Sequence, residues 1–449
     1  MQNLHEKVFK HVFMPFRPLT WLREEGHLRF LVKGEGIYVT DSTGKTFIDG
    51  AAGWQFGAVG HGRTEIGDAI RDQIKEIAIV APEFANIPGT LLAEKLSQIT
   101  PGTLAKVAFT NSGSEAVEQA MKIAKQHHVL NGEPRRHKVI SRRGSYAGWT
   151  MGCMSVGGAY RHTFSYFEPL APISIRVTPP YCYRCDFGLS YPSCDLQCAI
   201  EIDRVIQHER PENVSAVLGE PISHSYFVTV PPPEYWPMVR SICDKYGIFL
   251  INDEVITGFG RTGKWFACEH WDYVPDIIAF AKGISSGYIP IAGAITKAEI
   301  AAKVESGSTG CLASLPTWGG NPVSSAGALA NIRILERDNL IQNSAEMGKY
   351  FLSSLRDRFA KHPKVGDIRG LGLMVGVEMV ADKGTKAMFD PSVNFVYRAF
   401  EKLEDEGLLA RDFESTIIFT PSLCVNKKEI DEIVLRLGRA VDKLSKDLE

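Results

Sequence analysis

Lys282 follows the apolar run Asp276-Ile277-Ile278-Ala279-Phe280-Ala281, and Asp253 ends another, Gly247-Ile248-Phe249-Leu250-Ile251-Asn252. Apolar runs of this length, bounded by turn and helix signals, read as buried parallel strands, and sheets of that kind bind ligands at the carboxyl ends of their strands. An amine and a carboxylate are therefore expected in one crevice. A lysine amine can form a Schiff base with an aldehyde, and a carboxylate can hold a proton on a heterocyclic nitrogen. The bland alternative is a buried salt bridge or two solvated strand ends.

A second segment, Phe109-Thr110-Asn111-Ser112-Gly113-Ser114-Glu115-Ala116, runs from a strand through small residues into a helix. Unpaired N–H groups at a helix start, the helix dipole and the bare backbone of Gly113 make a seat for an anion, and Ser112 and Ser114 add hydroxyl donors. An ordinary Ser or Asn helix cap is the other reading. No Gly-Lys-Ser/Thr follows, so this is no Walker loop, and the spaced glycines of a dinucleotide site are missing. A phosphate seat beside a Schiff-base lysine and a carboxylate is what a pyridoxal phosphate enzyme requires. Tyr146 follows another strand end and can stack on a planar ring, with Val255 on the opposite face and a core position as its alternative. Glu220, after Ala216-Val217-Leu218, adds a third charged group at the same rim, unless it serves only a surface ion pair.

These residues need a scaffold, and the chain spells one out. Residues 1–70 read as an N-terminal arm and part of a small domain, with a hairpin closed by Asp41-Ser42-Thr43-Gly44-Lys45. Residues 71–325 alternate helices with strands near 106–110, 138–140, 214–218, 247–252, 276–281 and 291–295, which predicts a large, mostly parallel-sheet α/β domain. Residues 326–449 supply a C-terminal part with strands near 372–378 and 415–419 and a last helix near 427–447. The fold class is α/β, with a smaller α+β domain assembled from both chain ends.

At 449 residues, 44% hydrophobic, 23% charged and a net charge of −2, the chain reads as an ordinary globular protein with no nucleic acid partner. No apolar stretch approaches membrane-spanning length and no signal-peptide core is seen, so a cytoplasmic location without membrane contact is expected. Nine cysteines argue against an extracellular disulfide framework. Four of them, Cys182, Cys185, Cys194 and Cys198, cluster in one Tyr, Pro and Gly-containing insertion. They suit a structural zinc ion, two local disulfides or free thiols. No metal is assigned to the catalytic residues.

With Asn111-Ser112-Gly113-Ser114-Glu115-Ala116, Asp253-Glu254-Val255, Gly258-Phe259-Gly260-Arg261-Thr262-Gly263, Ala281-Lys282-Gly283-Ile284 and Thr317-Trp318-Gly319-Gly320-Asn321-Pro322 in this order, the sequence resembles the class III, fold type I, pyridoxal phosphate-dependent aminotransferases. The resemblance covers nearly the whole chain. It implies that Lys282 carries the cofactor as a Schiff base, that Asp253 pairs with the pyridine nitrogen, and that Val255 and Tyr146 sandwich the ring. Gly113 and Ser114 would hold the phosphate. Thr317 would reach the phosphate of a neighbouring subunit, so a homodimer or dimer of dimers with shared active sites is implied.

Asp-Glu-Val-Ile, with Ile256, is similar to the ω-amino acid:pyruvate branch, as is Trp54, which would line the substrate pocket. Arg411 resembles the mobile arginine that pairs with a substrate carboxylate and swings aside for an uncharged amine. Ala147 departs from the histidine usual in the family. Phe16, Trp54, Tyr146, Trp149 and Tyr166 would build an aromatic wall, with core positions as the alternative. The implied activity is transfer of an amino group from an ω-amino acid or amine to pyruvate or 2-oxoglutarate by ping-pong kinetics. A racemase, epimerase or aminomutase on the same cofactor is the rival reading.

Overall fold

A computed structural model describes residues 2–24 and 26–448. Its centre is a seven-stranded sheet whose spatial order is Leu104–Thr110, Ala292–Lys297, Ile277–Phe280, Phe249–Asp253, Val214–Gly219, Lys138–Arg142 and Ser174–Val177. Only the pairings of Ala292–Lys297 are antiparallel; the other neighbours run parallel. The strands Val214–Gly219 and Ile277–Phe280 are buried at every position, as expected of strands covered by helices on both faces. The expected strands are all present, with no end displaced by more than two residues. The edge strand Ser174–Val177 was not foreseen.

The helix Gly113–Leu130 packs on one face of this sheet through Ala116, Val117, Ala120, Ile123 and Ala124, a spacing that puts small apolar side chains on one side. Its start is fixed by a capping box in which Ser112 accepts from the Glu115 N–H and Glu115 reaches back to the cap.

Two smaller sheets flank the large one. The first joins Leu31–Glu35, Tyr38–Asp41 and Thr46–Asp49 to Leu408–Leu409, so distant parts of the chain share a sheet. Asp41 shapes the expected hairpin by accepting the N–H groups of Thr43 and Lys45. The second contains Val365–Leu371, Met374–Met379, Thr416–Phe419 and Arg411–Phe413. The final helix spans Lys427–Asp447.

The helix Leu340–Phe359 lies so close to the turn at Gly372 that a Cβ on Gly348 would stand 2.2 Å from the Gly372 carbonyl oxygen. Gly348→Ala forces backbone apart and is expected to destabilise the protein by about 1–3 kcal/mol. Denaturant unfolding of the two proteins checks this; equal midpoints would show that the two backbones separate at no cost.

Candidate active site

Lys282 and Asp253 line one crevice, at the carboxyl ends of adjacent parallel strands in which Asp253 stands beside Ala279. Lys282 opens a short turn with φ of 49°, a left-handed conformation that costs about 1 kcal/mol or more outside glycine. Asn331, fully buried on the helix Pro322–Arg337, holds that turn by donating to the carbonyls of Gly283 and Ile284 at 2.9 Å each. The Lys282 amine donates to Gln55 Oε1 at 3.4 Å.

Burial pushes the Lys282 pKa down to about 8; Asp253 opposes this, and Arg411 and Arg261 add to it. Burial likewise pushes the Asp253 carboxyl upward, with Glu220 reinforcing and the Val255 N–H and Lys282 opposing. Asp253 Oδ1 accepts the Val255 N–H at 3.0 Å. Beneath it, Glu254 is fully enclosed and accepts from Thr257 and from the N–H groups of Ala267 and Cys268, which fixes the loop that aims Asp253.

Gly113 and Ser114 line the same crevice. A Cβ at Gly113 would come within 2.9 Å of Val255 Cγ1, so only glycine leaves that helix start bare. Ser114 Oγ accepts the Trp149 N–H at 3.0 Å, which leaves its own O–H to donate. Ser112 lies apart from the lining: its hydroxyl oxygen is engaged as the helix cap, the ordinary use of such a residue. Tyr146 and Val255 both face the crevice, as do Ala147 and Ile256.

Glu220 is buried rather than exposed at a rim. It pairs with the buried Arg142 at 3.0 Å and accepts the Tyr146 N–H and the Ser223 hydroxyl, each at 3.1 Å. Trp54 and Arg411 meet directly, the guanidinium lying 3.6 Å from the Trp54 ring centroid. Phe16 from the N-terminal arm closes over them, 4.8 Å from Trp54 and 5.3 Å from Trp149 between ring centroids. Next to Phe16, Arg17 is tied to Asp412 at 2.9 Å.

The aromatic wall differs from expectation in one member. Tyr166 is 85% exposed and takes no part in the lining, while Tyr160 and Phe413 do. Thr317 also lies outside the crevice, in an exposed loop beside Trp318. The four clustered cysteines line a separate small hollow as free thiols, not disulfides. Among the described residues no group of three or more His, Cys, Asp or Glu side chains is arranged to hold a metal ion.

Sequence reasoning missed Gln55, His224 and Asn331. Gln55 adjoins Trp54 and His224 sits four positions past Glu220, but neither stands in a recognisable motif; folding alone brings them to Lys282.

Residues 22–441 match the family model for "Aminotransferase class-III". The chain belongs to this family. It is 36% identical over 419 residues to the taurine–pyruvate aminotransferase of Bilophila wadsworthia, covering 91% of each chain. Among solved structures it resembles an (S)-enantioselective omega-transaminase from Thermomicrobium roseum, with TM-score 0.94, 38% identity and coverage of 99% and 98%. The omega-transaminase of Pseudomonas jessenii in complex with PMP gives TM-score 0.94 at 34% identity, with 99% of each chain covered.

This class III aminotransferase therefore moves an amino group to a keto acid with pyridoxal phosphate as cofactor, on a fold type I scaffold. The racemase reading gains no support from these relatives. The residues present fit the cofactor: a bare helix start, a free hydroxyl donor, an enclosed carboxyl and an amine of lowered basicity.

The low basicity of Lys282 has a direct readout. In cofactor-free protein, arylation of Lys282 by fluorodinitrobenzene, followed by peptide mass spectrometry, is expected to rise with pH around a midpoint of about 8. The amine is protonated and inert below that point and reactive above it. A midpoint at the ordinary lysine value of about 10.4 would contradict the burial argument.

Proposed function

We propose that the donor is an ω-amino acid or a primary amine, that pyruvate is the preferred acceptor, and that Lys282, Asp253, Gly113, Ser114, Tyr146, Val255 and Glu220 serve the cofactor. The observation that carries this reading is the Arg411–Trp54 stack in the crevice that Lys282 also lines. An arginine resting on an aromatic face is held by about 0.5–2 kcal/mol. It can exchange that contact for two parallel hydrogen bonds to a carboxylate and return when the substrate lacks one. One pocket then serves an uncharged amine and a keto acid in turn. The pyruvate in the name of the Bilophila relative supports the same acceptor.

The bound cofactor supplies an electrophilic carbon and an electron sink. Lys282 would hold it covalently and, as a neutral amine once released, would take the proton from the substrate carbon as base and give it, as acid, to the carbon on the other side of the shared nitrogen. Asp253, in its ionised form, would keep a proton on the ring nitrogen. Tyr146 and Val255 would flank the ring, with Glu220 anchoring Tyr146 through its N–H and Arg142 balancing the charge. Gly113 and Ser114 would receive the phosphate.

A homodimer belongs to this reading, with Thr317 serving the neighbouring site. Ile79, Phe84 and Ile87 on one segment, and Leu315 and Trp318 on another, are all at least 70% exposed. Asn86 joins the two segments by donating to the Gly320 carbonyl. A continuous apolar surface of this kind suits a subunit interface. No helix among the described residues is long and apolar enough to cross a membrane, and the nine cysteines are all free thiols, which supports a reducing, cytoplasmic setting.

With a primary amine donor alone, the holoenzyme is expected to lose its cofactor absorbance once and stop, then recover on addition of pyruvate. Continuous interconversion of enantiomers without a keto acid would instead favour a racemase. Asp253→Asn is expected to lower kcat severely with little loss of Lys282 labelling. Arg411→Ala should reduce kcat/KM for pyruvate by about 10- to 100-fold, the worth of hydrogen bonds to a charged group. Butanal as acceptor should be affected far less, and equal losses for both acceptors would remove the carboxylate role.

A further inference from the structure

Two neutral side chains in the crevice carry a buried nitrogen for which the chain offers no partner: Gln55 Nε2 and His224 Nε2. Arg411 Nε, in the same crevice, is likewise without one. A buried donor left unpaired costs about 1–3 kcal/mol, so folded proteins keep few of them, and a group of them around one crevice calls for a ligand acceptor.

The orientation of Gln55 is not arbitrary. Its Oε1 accepts from the Lys282 amine at 3.4 Å, which leaves the amide N–H groups as the unsatisfied end. The loop that carries it is strained: Ala52 has φ of 43° and Gln55 φ of 61°. Left-handed backbone outside glycine persists where surroundings enforce it, and it gathers at ligand sites. Here Asp49 enforces it, accepting the N–H groups of Ala51 and Gly53 at 3.3 and 2.8 Å.

His224 is held neutral. It is enclosed, and the positive charges of Lys282, Arg411 and Arg261 face it, so its pKa lies well below the ordinary value. In the tautomer protonated on Nε2 it offers a single N–H donor. Of the acidic groups lining the crevice, Glu220 is paired with Arg142, Asp412 with Arg17, and Asp253 acts on Lys282. Beside them the crevice combines the Arg411 guanidinium with the unpaired N–H donors of Gln55 and His224, a combination that receives an oxyanion.

We propose that Gln55 and His224 are specificity-determining residues that donate their Nε2 hydrogens to the oxygens of an acidic group, carboxylate or sulfonate, on a short aliphatic substrate. The inference rests on the aminotransferase reading of this site and deepens it, because it names the group that the substrate carries. Arg411 supplies the charge; Gln55 and His224 supply directional donors that a simple amine cannot use. Gln55 also acts through Lys282, since the same amide that meets the substrate holds the lysine amine.

The test uses holoenzyme and binding rather than turnover. Propanoate and ethanesulfonate lack an amine, and their affinities are measured by titration calorimetry beside that of uncharged butanamide. In Gln55→Met and His224→Leu the affinity for at least one of the two anions is expected to fall about 10-fold or more, the loss of one hydrogen bond to a charged group. Butanamide, whose carbonyl oxygen accepts only neutral hydrogen bonds, should lose less, by about 3-fold or below. A fall confined to ethanesulfonate identifies a sulfonate site, and one confined to propanoate a carboxylate site.

His224→Gln, which keeps an N–H at similar reach, should restore much of the binding. Equal losses for anions and butanamide, or equal binding by His224→Gln and His224→Leu, would overturn the proposal. Nitrogen-15 spectra of histidine-labelled wild-type protein give a second measurement that needs no foldable variant. Ethanesulfonate or propanoate should shift one buried imidazole resonance, and no shift with either anion would also overturn it. Failure of the aminotransferase reading is seen separately, as wild-type holoenzyme that no amine bleaches.

Discussion

The structure depends on keeping an amine and a carboxyl group out of water without letting them neutralise each other's function. Lys282 and Asp253 sit at the ends of neighbouring strands in a sheet whose helices remove solvent from both sides. Burial works against both charges at once, lowering the lysine and raising the aspartate. Each is thereby closer to its uncharged form than it would be on a surface. The lysine becomes a nucleophile near neutral pH. The carboxyl regains its charge most readily against a positive partner, and a protonated ring nitrogen is such a partner.

Much of the remaining architecture serves to hold those two groups still. Asn331 secures the left-handed turn of Lys282 from a helix on the far side of the sequence. Glu254 and its backbone donors fix the loop after Asp253. Glu220 is balanced by Arg142, so its influence on Asp253 is tempered inside the site. A side chain on Gly113 would strike Val255, so the start of that helix and the loop after Asp253 are packed against each other without slack. These contacts are short-range and directional, and each removes a way for the crevice to relax.

How far the sequence revealed this depended on the kind of signal. Apolar runs are local, so the strands around Asp253 and Lys282 were legible to within two residues and the helix Lys427–Asp447 to its ends, while the helix Gly113–Leu130 runs several residues past the stretch its pattern marks at each end. The types and order of Gly113, Ser114, Asp253, Val255 and Lys282 form motifs, and the fold brings these residues to one crevice. Ser112 reads in sequence as either a hydroxyl donor or a helix cap, and in the fold its oxygen caps the helix by accepting the Glu115 N–H. Tyr166 was expected in the wall on residue type alone, while Tyr160 and Phe413 reach it through the fold. Gln55 and His224 carried no local mark: their meaning comes from proximity to a lysine far along the chain and from nitrogens that find no partner.

The bond between Arg17 and Asp412 spans 395 positions in sequence. Asp253 and Lys282 lie in the middle of the chain, whereas the opposite side of the crevice is built from Phe16 and Arg17 near its beginning and Arg411 to Phe413 near its end. Contacts of such long separation form late, because their loops must close first. Until the sheet around it folds, Lys282 is an ordinary protonated amine, and the crevice is complete only once both ends of the chain have docked on it. Discrimination is the last property this enzyme acquires during synthesis, and the first to be lost when either terminus loosens.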